Sequence, residues 1–596
     1  MLVEGVLLFH NISVSYFPAG SKDPRNPSDR SHVEGAVDTL SLVALGKGGT
    51  QQQADGDLAV VSAAGAAAPS LSPVHPGDPE PLNAEENRAL RVVNRLGIVG
   101  ALFLAFGSLG AGAAPILNPV LNIPVLRLFA RIPTVSLAIA FTGMGMMVAG
   151  WLLLGRFARP GRTRLASPAQ LYRTLAMWTV PLLVIPPLFS RDVYSYLAQS
   201  AIVDRGMDPY ELGPAQALGV ADPLTAGVSN MWRETPAPYG PLFLDIGSWI
   251  SGAVGTHVAV GVLLMRGLAL VGFGLIVWAL PRLARRFGVQ PSTALWLGAA
   301  NPLVLFHLVA GAHNEALGIG LMLAGLELGI RRLPIRVSGD SPPPFAKGEL
   351  ACIVLGAVVI TAAAMVKIHA IVALGFFGVM IARRWYGRIT DLLWAAALMT
   401  VVCAAVTAAI CFGTGLGFGW VGALGTPGMV WNWISPVAEL GQLGGILGIM
   451  LGLGNHTAAV IAILGILGYV VAGSITAKFL WDSFRWRYRP IIGLGVSLGA
   501  FMTLHVAMQP WWLLWAVIPL AASAGTSRFR AAATAVSAVL AMVIPPTGST
   551  FDGRSYIVSQ AYVAGGIVLL GALVIVWRSA PLLFSRRMGE TRPEAV

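Results

Sequence analysis

The amino-acid sequence predicts an all-α protein that crosses a membrane many times. Hydrophobic residues make up 55% of the chain and charged residues only 11%, so a soluble protein of 596 residues is not expected. Apolar stretches of about 17 to 25 residues recur from Arg95 to Arg578, and each can cross a hydrocarbon core of roughly 30 Å as a helix. Helices are expected because lipid cannot satisfy free backbone hydrogen-bonding groups.

Residues 1–93 are predicted to form a largely disordered cytoplasmic tail. Between Pro18 and Glu86 the chain is rich in Pro, Gly, Ser, Ala and Asp and has no sustained periodicity, so it offers little apolar surface to bury. The apolar residues at the start are too few to span a membrane and lack the basic segment typical of a signal peptide. A short cytoplasmic tail is predicted over residues 581–596.

Residues 94–580 form the predicted membrane domain, with about 12 to 14 transmembrane helices. The fourteen predicted spans are 96–117, 134–155, 172–189, 257–280, 291–310, 314–330, 349–366, 368–382, 391–412, 457–477, 490–507, 511–525, 531–546 and 559–577. Placing the first tail inside puts nearly every Arg-rich loop on the cytoplasmic side, and Arg127 and Arg131 are the exceptions. This pattern also accounts for the net charge of +12, since the basic residues form no nucleic-acid motif.

Two long loops then face outward, at 190–256 and 413–456. Each contains an apolar piece that is too short to span comfortably, at 240–254 and 442–453. We expect these pieces to be interfacial or re-entrant helices.

Acidic residues are scarce among the spans but crowd into the first outside loop, as Asp192, Asp204, Asp208, Glu211, Asp222, Glu234 and Asp245. Solvation of a long loop accounts for most of them. Asp192 differs, because it follows the apolar run 181–189 and is expected at the membrane surface, with Tyr194 close by. Partial desolvation raises the basicity of such a carboxylate. Capping of a helix over 193–203, or an ion pair with Arg191, would also place an Asp here.

The donor that can reach Asp192 indicates the reaction. No segment resembles a soluble nucleotide-binding domain, and the glycine-rich run 413–419 follows a membrane helix instead of a strand, so a nucleotide sugar is not expected. A sugar on a lipid phosphate would reach the loop from the bilayer. Prenyl phosphate leaves without a general acid because its second pKa is about 6, so one general base suffices. A single displacement inverts the anomeric carbon. Positively charged side chains are expected beside the departing phosphate.

Four short motifs resemble those of a known family. They are RDVYSY at 191–196, GMDPY at 206–210, ETPAPYGP at 234–241 and GAHNEAL at 311–317. In combination they are similar to the actinobacterial polyprenyl-phosphomannose-dependent α-1,6-mannosyltransferases, the MptA/MptB group of the GT-C superfamily. The resemblance covers about residues 95–580 and favours the MptB-like branch.

The resemblance implies a GT-C glycosyltransferase of the plasma membrane that acts on its outer face. It would transfer mannose, with inversion, from polyprenyl-phosphate-mannose to a growing, lipid-anchored α-1,6-mannan, the core of lipomannan and lipoarabinomannan. The catalytic carboxylate of GT-C enzymes stands at the start of the first large outside loop, where Asp192 lies. Asp208 falls in a second loop motif and is a secondary candidate. Beyond the lipid-linked donor, no cofactor is implied.

Further substrate-binding residues are predicted from polar or aromatic side chains at the outer helix ends. His313, Asn314 and Glu315 form a polar triplet that is costly in lipid unless it meets water, a partner or a substrate, with helix capping as the alternative. Lys367 and His369 lie where a lipid phosphate would explain them, although Lys367 can also snorkel to headgroups.

The remaining candidates are Arg191, Arg233, Tyr194, Tyr239, Trp431, Trp433, Gln509 and Trp511. Both arginines could instead pair with neighbouring acids, and tryptophan is common in any membrane interface. His505 is read as a packing histidine.

Two other functions stay open. One is a GT-C transferase of another prenyl-linked sugar, such as arabinofuranose. The other is a secondary transporter or lipid flippase, a class that often shows internal repeats and central ionisable residues, of which the sequence gives no clear sign. No metal site is expected, because the three cysteines lie singly in apolar segments and the His313–Glu315 pair offers too few ligands.

Overall fold

The computed structural model describes residues 79–335, 339, 341–523, 526–547 and 556–585. Within these ranges the protein is almost wholly helical, which confirms the predicted all-α class. The strands of this part of the chain, Glu80–Pro81 and Arg164–Leu165, pair in parallel with Glu80 opposite Arg164. The tail predictions for residues 1–78 and 586–596 lie outside the described residues.

The α-helices in chain order are α1 Ala84–Ala111, α2 Arg127–Arg131, α3 Pro133–Leu154, α4 Pro168–Thr179, α5 Asp192–Asp204, α6 Pro214–Leu218, α7 Pro223–Gly227, α8 Pro241–Val254, α9 Val258–Arg286, α10 Pro291–Ala294, α11 Glu315–Ile330, α12 Glu349–Ala364, α13 Val372–Arg384, α14 Ile389–Gly413, α15 Gly419–Gly422, α16 Pro436–Met450, α17 Thr457–Phe484, α18 Pro490–Thr503, α19 Leu514–Ala521, α20 Ser527–Val543 and α21 Tyr556–Ser579. Two π-helical pieces, Leu295–Ala299 and Val304–Ala310, follow α10. Short 3-10 turns cover Pro119–Asn122, Gly155–Phe157, Val180–Leu182, Asn230–Trp232, Ile368–Ile371, Ala423–Met429, Pro510–Leu513 and Pro581–Phe584.

Six of the described helices are long and apolar enough to cross a membrane, namely α1, α3 with its following turn, α9, α14, α17 and α21. The polytopic architecture is therefore confirmed, and these six coincide with predicted spans. Twelve to fourteen spans were predicted. Within the described residues, six helices are individually long and apolar enough to cross, or seven spans if the broken pair over 291–310 counts as one, and five shorter apolar helices accompany them. Proline explains why one predicted span is shorter than expected. Helix α4 ends at Thr179, just before Pro181, where the span predicted at 172–189 was expected to continue.

The first long helix begins earlier than the sequence suggested. Asn83 accepts a hydrogen bond from the Glu86 backbone at 2.8 Å, and the Glu86 carboxylate accepts one from the Asn83 backbone at 2.9 Å. This reciprocal capping box starts α1 at Ala84, inside the segment predicted as tail. Helix α1 then packs closely on α3, because a Cβ on Gly143 would stand 2.4 Å from the Leu104 backbone nitrogen.

The broken pair bends by 63° at the residues that join its two pieces. Pro302 lies in the break and has no backbone N–H to continue a helix. Arg266 of α9 is 1% exposed, and its guanidinium donates to backbone carbonyls at 2.9–3.2 Å, those of Leu183, Val309 and Ala310. The bonds to Val309 and Ala310 satisfy backbone carbonyls at the end of the broken pair, shortly before His313.

Both predicted long loops contain helices. The first, 190–256, holds α5 to α8 and packs against itself, with the Tyr196 ring edge-on to Phe243 at 5.2 Å. The second, 413–456, holds α15, a 3-10 turn and α16. The two short apolar pieces form α8 and α16, of 14 and 15 residues.

Candidate active site

The chain turns sharply just before Asp192. Phe189 has a φ of 69°, a left-handed conformation uncommon outside glycine, and its ring lies 4.6 Å from that of His307 in the broken pair. Helix α5 then begins at Asp192, with Arg191 at its N-cap. Asp192 is thus in the first turn, where the helix dipole favours a negative charge, and is not the cap of a helix that starts at 193.

Asp192 lies on the wall of a cavity of about 940 Å³. The cavity is bounded by α5, the starts of α11 and α13, the segment 424–434 and residues 505–512. Ten of the fifteen predicted site residues line it: Arg191, Asp192, Tyr239, Glu315, Lys367, His369, Trp431, Trp433, Gln509 and Trp511. The structure therefore brings together residues that are more than three hundred positions apart in sequence.

His313 lies behind Asp192 and has no exposed surface. Its Nδ1 atom is 3.5 Å from Asp192 Oδ2 and 3.7 Å from Glu315 Oε2. Its Nε2 atom is 3.1 Å from the hydroxyl of Ser190, and the Trp511 ring lies 4.1 Å away. His313 thus contacts the candidate base and does not line the cavity itself.

Glu315 and Lys367 form an ion pair of 2.6 Å beside this histidine. The Trp512 indole also donates to Glu315 Oε1 at 3.2 Å, and Lys367 Nζ donates to Asn314 Oδ1 at 3.4 Å. The Glu315 side chain is fully buried, whereas 14% of the Lys367 side chain is exposed. An ammonium has three N–H donors, so Lys367 keeps one beyond these two contacts.

Burial raises the pKa of the Asp192 carboxyl above its ordinary value of 3.8. His313 and Lys367 act in the opposite direction, and Glu315 adds to the rise. The Asp192 side chain still exposes 25% of its surface. A carboxylate that is both partly desolvated and reachable from a cavity is suited to accept a proton.

Arg191 also lines the cavity, but the backbone holds its guanidinium. Its Nε donates to the Gly227 carbonyl at 2.8 Å and its Nη2 to the Ala114 carbonyl at 3.4 Å. Its Cζ lies 5.1 Å above the Tyr194 ring. Asp192 Oδ2 lies 3.5 Å from His313 Nδ1, and the described residues contain no Arg191–Asp192 ion pair, so that alternative is wrong.

Five predicted residues do not line the cavity: Tyr194, Asp208, Arg233, His313 and Asn314. The Tyr194 hydroxyl donates to the Ala113 carbonyl at 2.5 Å, and Asp208 Oδ1 accepts from the Tyr210 backbone at 2.7 Å. Arg233 donates to two loop carbonyls, those of Val228 at 3.1 Å and Ala226 at 2.9 Å. In the structure these three side chains stabilise the loop around the cavity.

Two tryptophans present indole surface on the far side of the cavity. Trp431 is 45% exposed and Trp433 is 62% exposed. Asn432 between them donates from Nδ2 to Gln509 Oε1 at 3.1 Å, and the Ser435 hydroxyl donates to the His505 carbonyl at 2.9 Å. These bonds hold the segment 431–435 against residues 505–509.

Several cavity residues were not among the predicted site residues: Ser190, Ser195, Gln199, Asn432, Tyr469, Trp512 and His505, the last of which was read as a packing histidine. Ser195 and Gln199 follow Asp192 by three and seven positions, which places all three on one face of α5. That spacing was the signal that could have found them. Ser195 Oγ and Gln199 Oε1 are buried and have no hydrogen-bond partner among the described residues, so both are available to a ligand.

A carboxylate, an ammonium and aromatic faces around a cavity in a helical membrane protein are the groups that a polytopic membrane glycosyltransferase needs. The model of the α-(1→6)-mannopyranosyltransferase N-terminal domain matches residues 94–383, and that of the MptB C-terminal domain matches residues 437–575. The chain belongs to the α-(1→6)-mannopyranosyltransferase family, and the predicted MptB-like resemblance is confirmed.

Similar proteins extend over most of the chain. A probable α-(1→6)-mannopyranosyltransferase of Mycolicibacterium smegmatis is 43% identical over 84% of this chain and 92% of its own length. One α-(1→6)-mannopyranosyltransferase of Mycobacterium tuberculosis is 41% identical over 84% of this chain and 90% of its own length. The α-(1→6)-mannopyranosyltransferase B of Corynebacterium glutamicum is 34% identical over 79% of this chain and 79% of its own length. Among solved structures, the oligosaccharyltransferase of Archaeoglobus fulgidus has a TM-score of 0.31 at 12% identity, over 67% of this chain and 55% of that one.

Proposed function

We propose that the protein transfers mannose from polyprenyl-phosphate-mannose to the 6-hydroxyl of a lipid-anchored α-1,6-mannan, with inversion, at the outer face of the plasma membrane. The observation that carries this proposal is the Asp192 carboxylate on the wall of a cavity that Lys367 also lines. The printed names of the relatives support mannose as the sugar and α-1,6 as the linkage.

The difference in exposure between the Asp192 and Glu315 carboxylates supports an inverting reaction. Glu315 is fully buried, and Lys367 and Trp512 both contact its Oε1 atom, so we assign the base to Asp192 instead. Asp192 is the partly exposed carboxylate of the pair. A single accessible carboxylate acts as a general base for one displacement and does not form a covalent glycosyl intermediate.

The proposed reaction is one displacement, in which Asp192 takes the proton of the acceptor. The acceptor 6-hydroxyl gives its proton to Asp192 while its oxygen bonds to the mannose anomeric carbon. On the opposite face the bond between that carbon and the phosphate oxygen breaks. Prenyl phosphate leaves with the bonding electrons and gains one negative charge, and Asp192 later releases the proton to water in the cavity.

The growing charge on the departing phosphate requires a nearby cation. Lys367 retains one N–H donor and lies in the cavity, so we assign the phosphate to its ammonium. Arg191 adds positive charge on the Asp192 side. No metal is needed in this scheme, because prenyl phosphate is a good leaving group and Lys367 supplies the charge.

The mannan acceptor and the prenyl chain of the donor are the remaining parts of the substrates, and other walls of the cavity suit them. Sugars stack on aromatic faces, so the Trp431 and Trp433 indoles are assigned to the mannan acceptor. Apolar side chains also line the cavity, namely Val372, Leu498, Phe501 and Ile544, and they suit the first isoprene units of the donor. The outer-face assignment rests on the distribution of Arg and Lys among the loops.

The test uses membranes that contain the protein, radiolabelled mannosyl-phosphoprenol and a short α-1,6-mannoside. We expect α-linked product with the wild type, no product with Asp192→Asn, and full activity with Asp204→Asn, an exposed residue at the other end of α5. A chelator should leave the rate unchanged. Wild-type activity of Asp192→Asn would overturn the assignment of the base.

A further inference from the structure

We propose that Ser190 and His313 are positioning residues, which together hold the Asp192 carboxylate in its reactive orientation. This inference rests on the proposed function, because it needs Asp192 to be the base. Ser190 precedes α5 by two residues, and His313 lies in the turn between the broken pair and α11. The two are 123 positions apart in sequence yet in contact, with 3.1 Å between the Ser190 hydroxyl and His313 Nε2.

The surroundings of His313 show which ring nitrogen carries a proton. Nδ1 faces three oxygens, Asp192 Oδ2 at 3.5 Å, the Tyr196 hydroxyl at 3.5 Å and Glu315 Oε2 at 3.7 Å. A bare lone pair at Nδ1 would be repelled by both carboxylates, and the Tyr196 hydroxyl can accept as well as donate, so we assign the proton to Nδ1. With this assignment the Nδ1–H group lies beside Oδ2 of the base.

Ser190 completes this arrangement from the other side of the ring. Its hydroxyl accepts a hydrogen bond from the Asp192 backbone N–H at 3.3 Å and keeps its own proton to donate. His313 Nε2, at 3.1 Å, is the acceptor in reach when the ring is neutral. Ser190 thus joins the first backbone amide of α5 to His313, and His313 joins Ser190 to the Asp192 carboxylate.

Packing restricts the His313 ring to this orientation. The side chain is fully buried, and Trp511 covers it with a centroid distance of 4.1 Å and an interplanar angle of 37°. The His313–Asp192 distance of 3.5 Å is long for a hydrogen bond, as is common in active sites without substrate, and it would shorten when Asp192 ionises fully. The groups that face Asp192 electrostatically are His313, Glu315, Lys367, Tyr196 and Tyr239.

Two substitutions of His313 separate positioning from packing. Asparagine carries its amide nitrogen at the δ position and can replace Nδ1–H toward Asp192, whereas glutamine carries it at the ε position, toward Ser190. In the same transferase assay we expect His313→Gln to lower kcat about 100-fold without changing the donor KM. The kcat of His313→Asn should be at least about tenfold higher than that of His313→Gln. Loss of the Nδ1–H donor should also move the acidic limb of the pH–rate profile to higher pH, since that bond favours ionised Asp192.

Ser190→Ala provides the second arm. We expect a loss of about tenfold in kcat alone and little further loss when it is added to His313→Gln, because the two residues act through one contact. His257→Gln, at an exposed histidine away from the cavity, is the matched control and should behave as wild type. Amount and melting temperature in detergent report folding for each variant.

The outcomes distinguish this inference from the proposed function. If Asp192→Asn is inactive but His313→Gln and His313→Asn both keep wild-type kcat and pH profile, the positioning role is overturned and the base assignment stands. Equal losses for Asn and Gln with a lowered melting temperature would assign His313 to packing and overturn the inference. An active Asp192→Asn variant would remove the proposed function itself.

Discussion

Lys367 Nζ lies 2.6 Å from Glu315 Oε1, and this buried pair joins the start of α11 to the turn before α13. A buried ion pair contributes little net stability over an apolar pair, but removal of one partner leaves a charge without compensation. The same lysine is the proposed phosphate ligand. The pair therefore links folding to donor binding, and the two effects can be separated by substitution.

The first prediction concerns the stability of this pair. Lys367→Met should destabilise the protein by about 3–5 kcal/mol, because the Glu315 carboxylate stays buried without its cation. The double variant Lys367→Met with Glu315→Gln should recover most of that stability and still use the donor poorly. Melting temperature in detergent and transferase rate are measured together. A double variant as unstable as the single one would contradict the coupling.

The second prediction concerns donor use. Lys367→Ala should lower kcat/KM for mannosyl-phosphoprenol about 10- to 100-fold, since a hydrogen bond to a charged group contributes about 1.5–3 kcal/mol. Acceptor KM should not change. Lys347→Ala, at an exposed lysine away from the cavity, is the control. Unchanged donor dependence would return Lys367 to a structural role.

The third prediction follows from the raised pKa of Asp192. Since the base must be ionised, kcat/KM should fall toward acid pH with a midpoint above 3.8. A carboxyl with a raised pKa in the folded state stabilises the protein at low pH and loses that contribution as pH rises through the folded pKa. At pH 7 Asp192→Asn should therefore melt above the wild type, and the difference should vanish near pH 3.8. A variant that melts lower at pH 7 would contradict the burial of this carboxylate.

The sequence predicted the helical class and ten of the residues that line the cavity for a definite physical reason. Apolar length, loop charge and polar residues at helix ends are local features, and Asp192, Lys367 and Trp433 were found from them. The partners of these residues were not found, because a contact such as Glu315–Lys367 depends on how two helices pack. Ser190 lay beside the predicted base, yet its role appears only when His313 is placed 3.1 Å away.

The lengths and breaks of the helices were harder to predict for a related reason. Hydropathy measures whether a segment is apolar but not whether protein or lipid surrounds it. The span predicted at 291–310 is a bent pair whose residues are almost all buried in protein, where a break can be satisfied by neighbours such as Arg266. The bent pair ends directly before the turn that places His313 and Glu315 beside Asp192.

The fourth prediction tests that arrangement. Arg266→Met removes the donor to three buried carbonyls, and we expect a loss of about 1–3 kcal/mol or more, together with reduced activity because His313 follows the freed carbonyls. Arg266→Lys should be intermediate, since an ammonium cannot reproduce the planar fork. Arg285→Met, exposed on the same helix, is the control. Unchanged stability of Arg266→Met would show that other groups satisfy these carbonyls.

The last prediction concerns the acceptor. Trp433 is 62% exposed although Asn432 and Ser435 fix its segment to residues 505–509, so the indole is held in place but left uncovered. A stacked sugar would cover it, and Trp433→Ala should raise the KM for a short α-1,6-mannoside about two- to tenfold at unchanged donor KM, because an aromatic contact contributes about 0.5–1.5 kcal/mol. Trp394→Ala, at an exposed tryptophan on α14 outside the cavity, separates this effect from anchoring in lipid. If both variants alter the rate equally and acceptor KM stays constant, Trp433 contacts the membrane and the acceptor binds elsewhere.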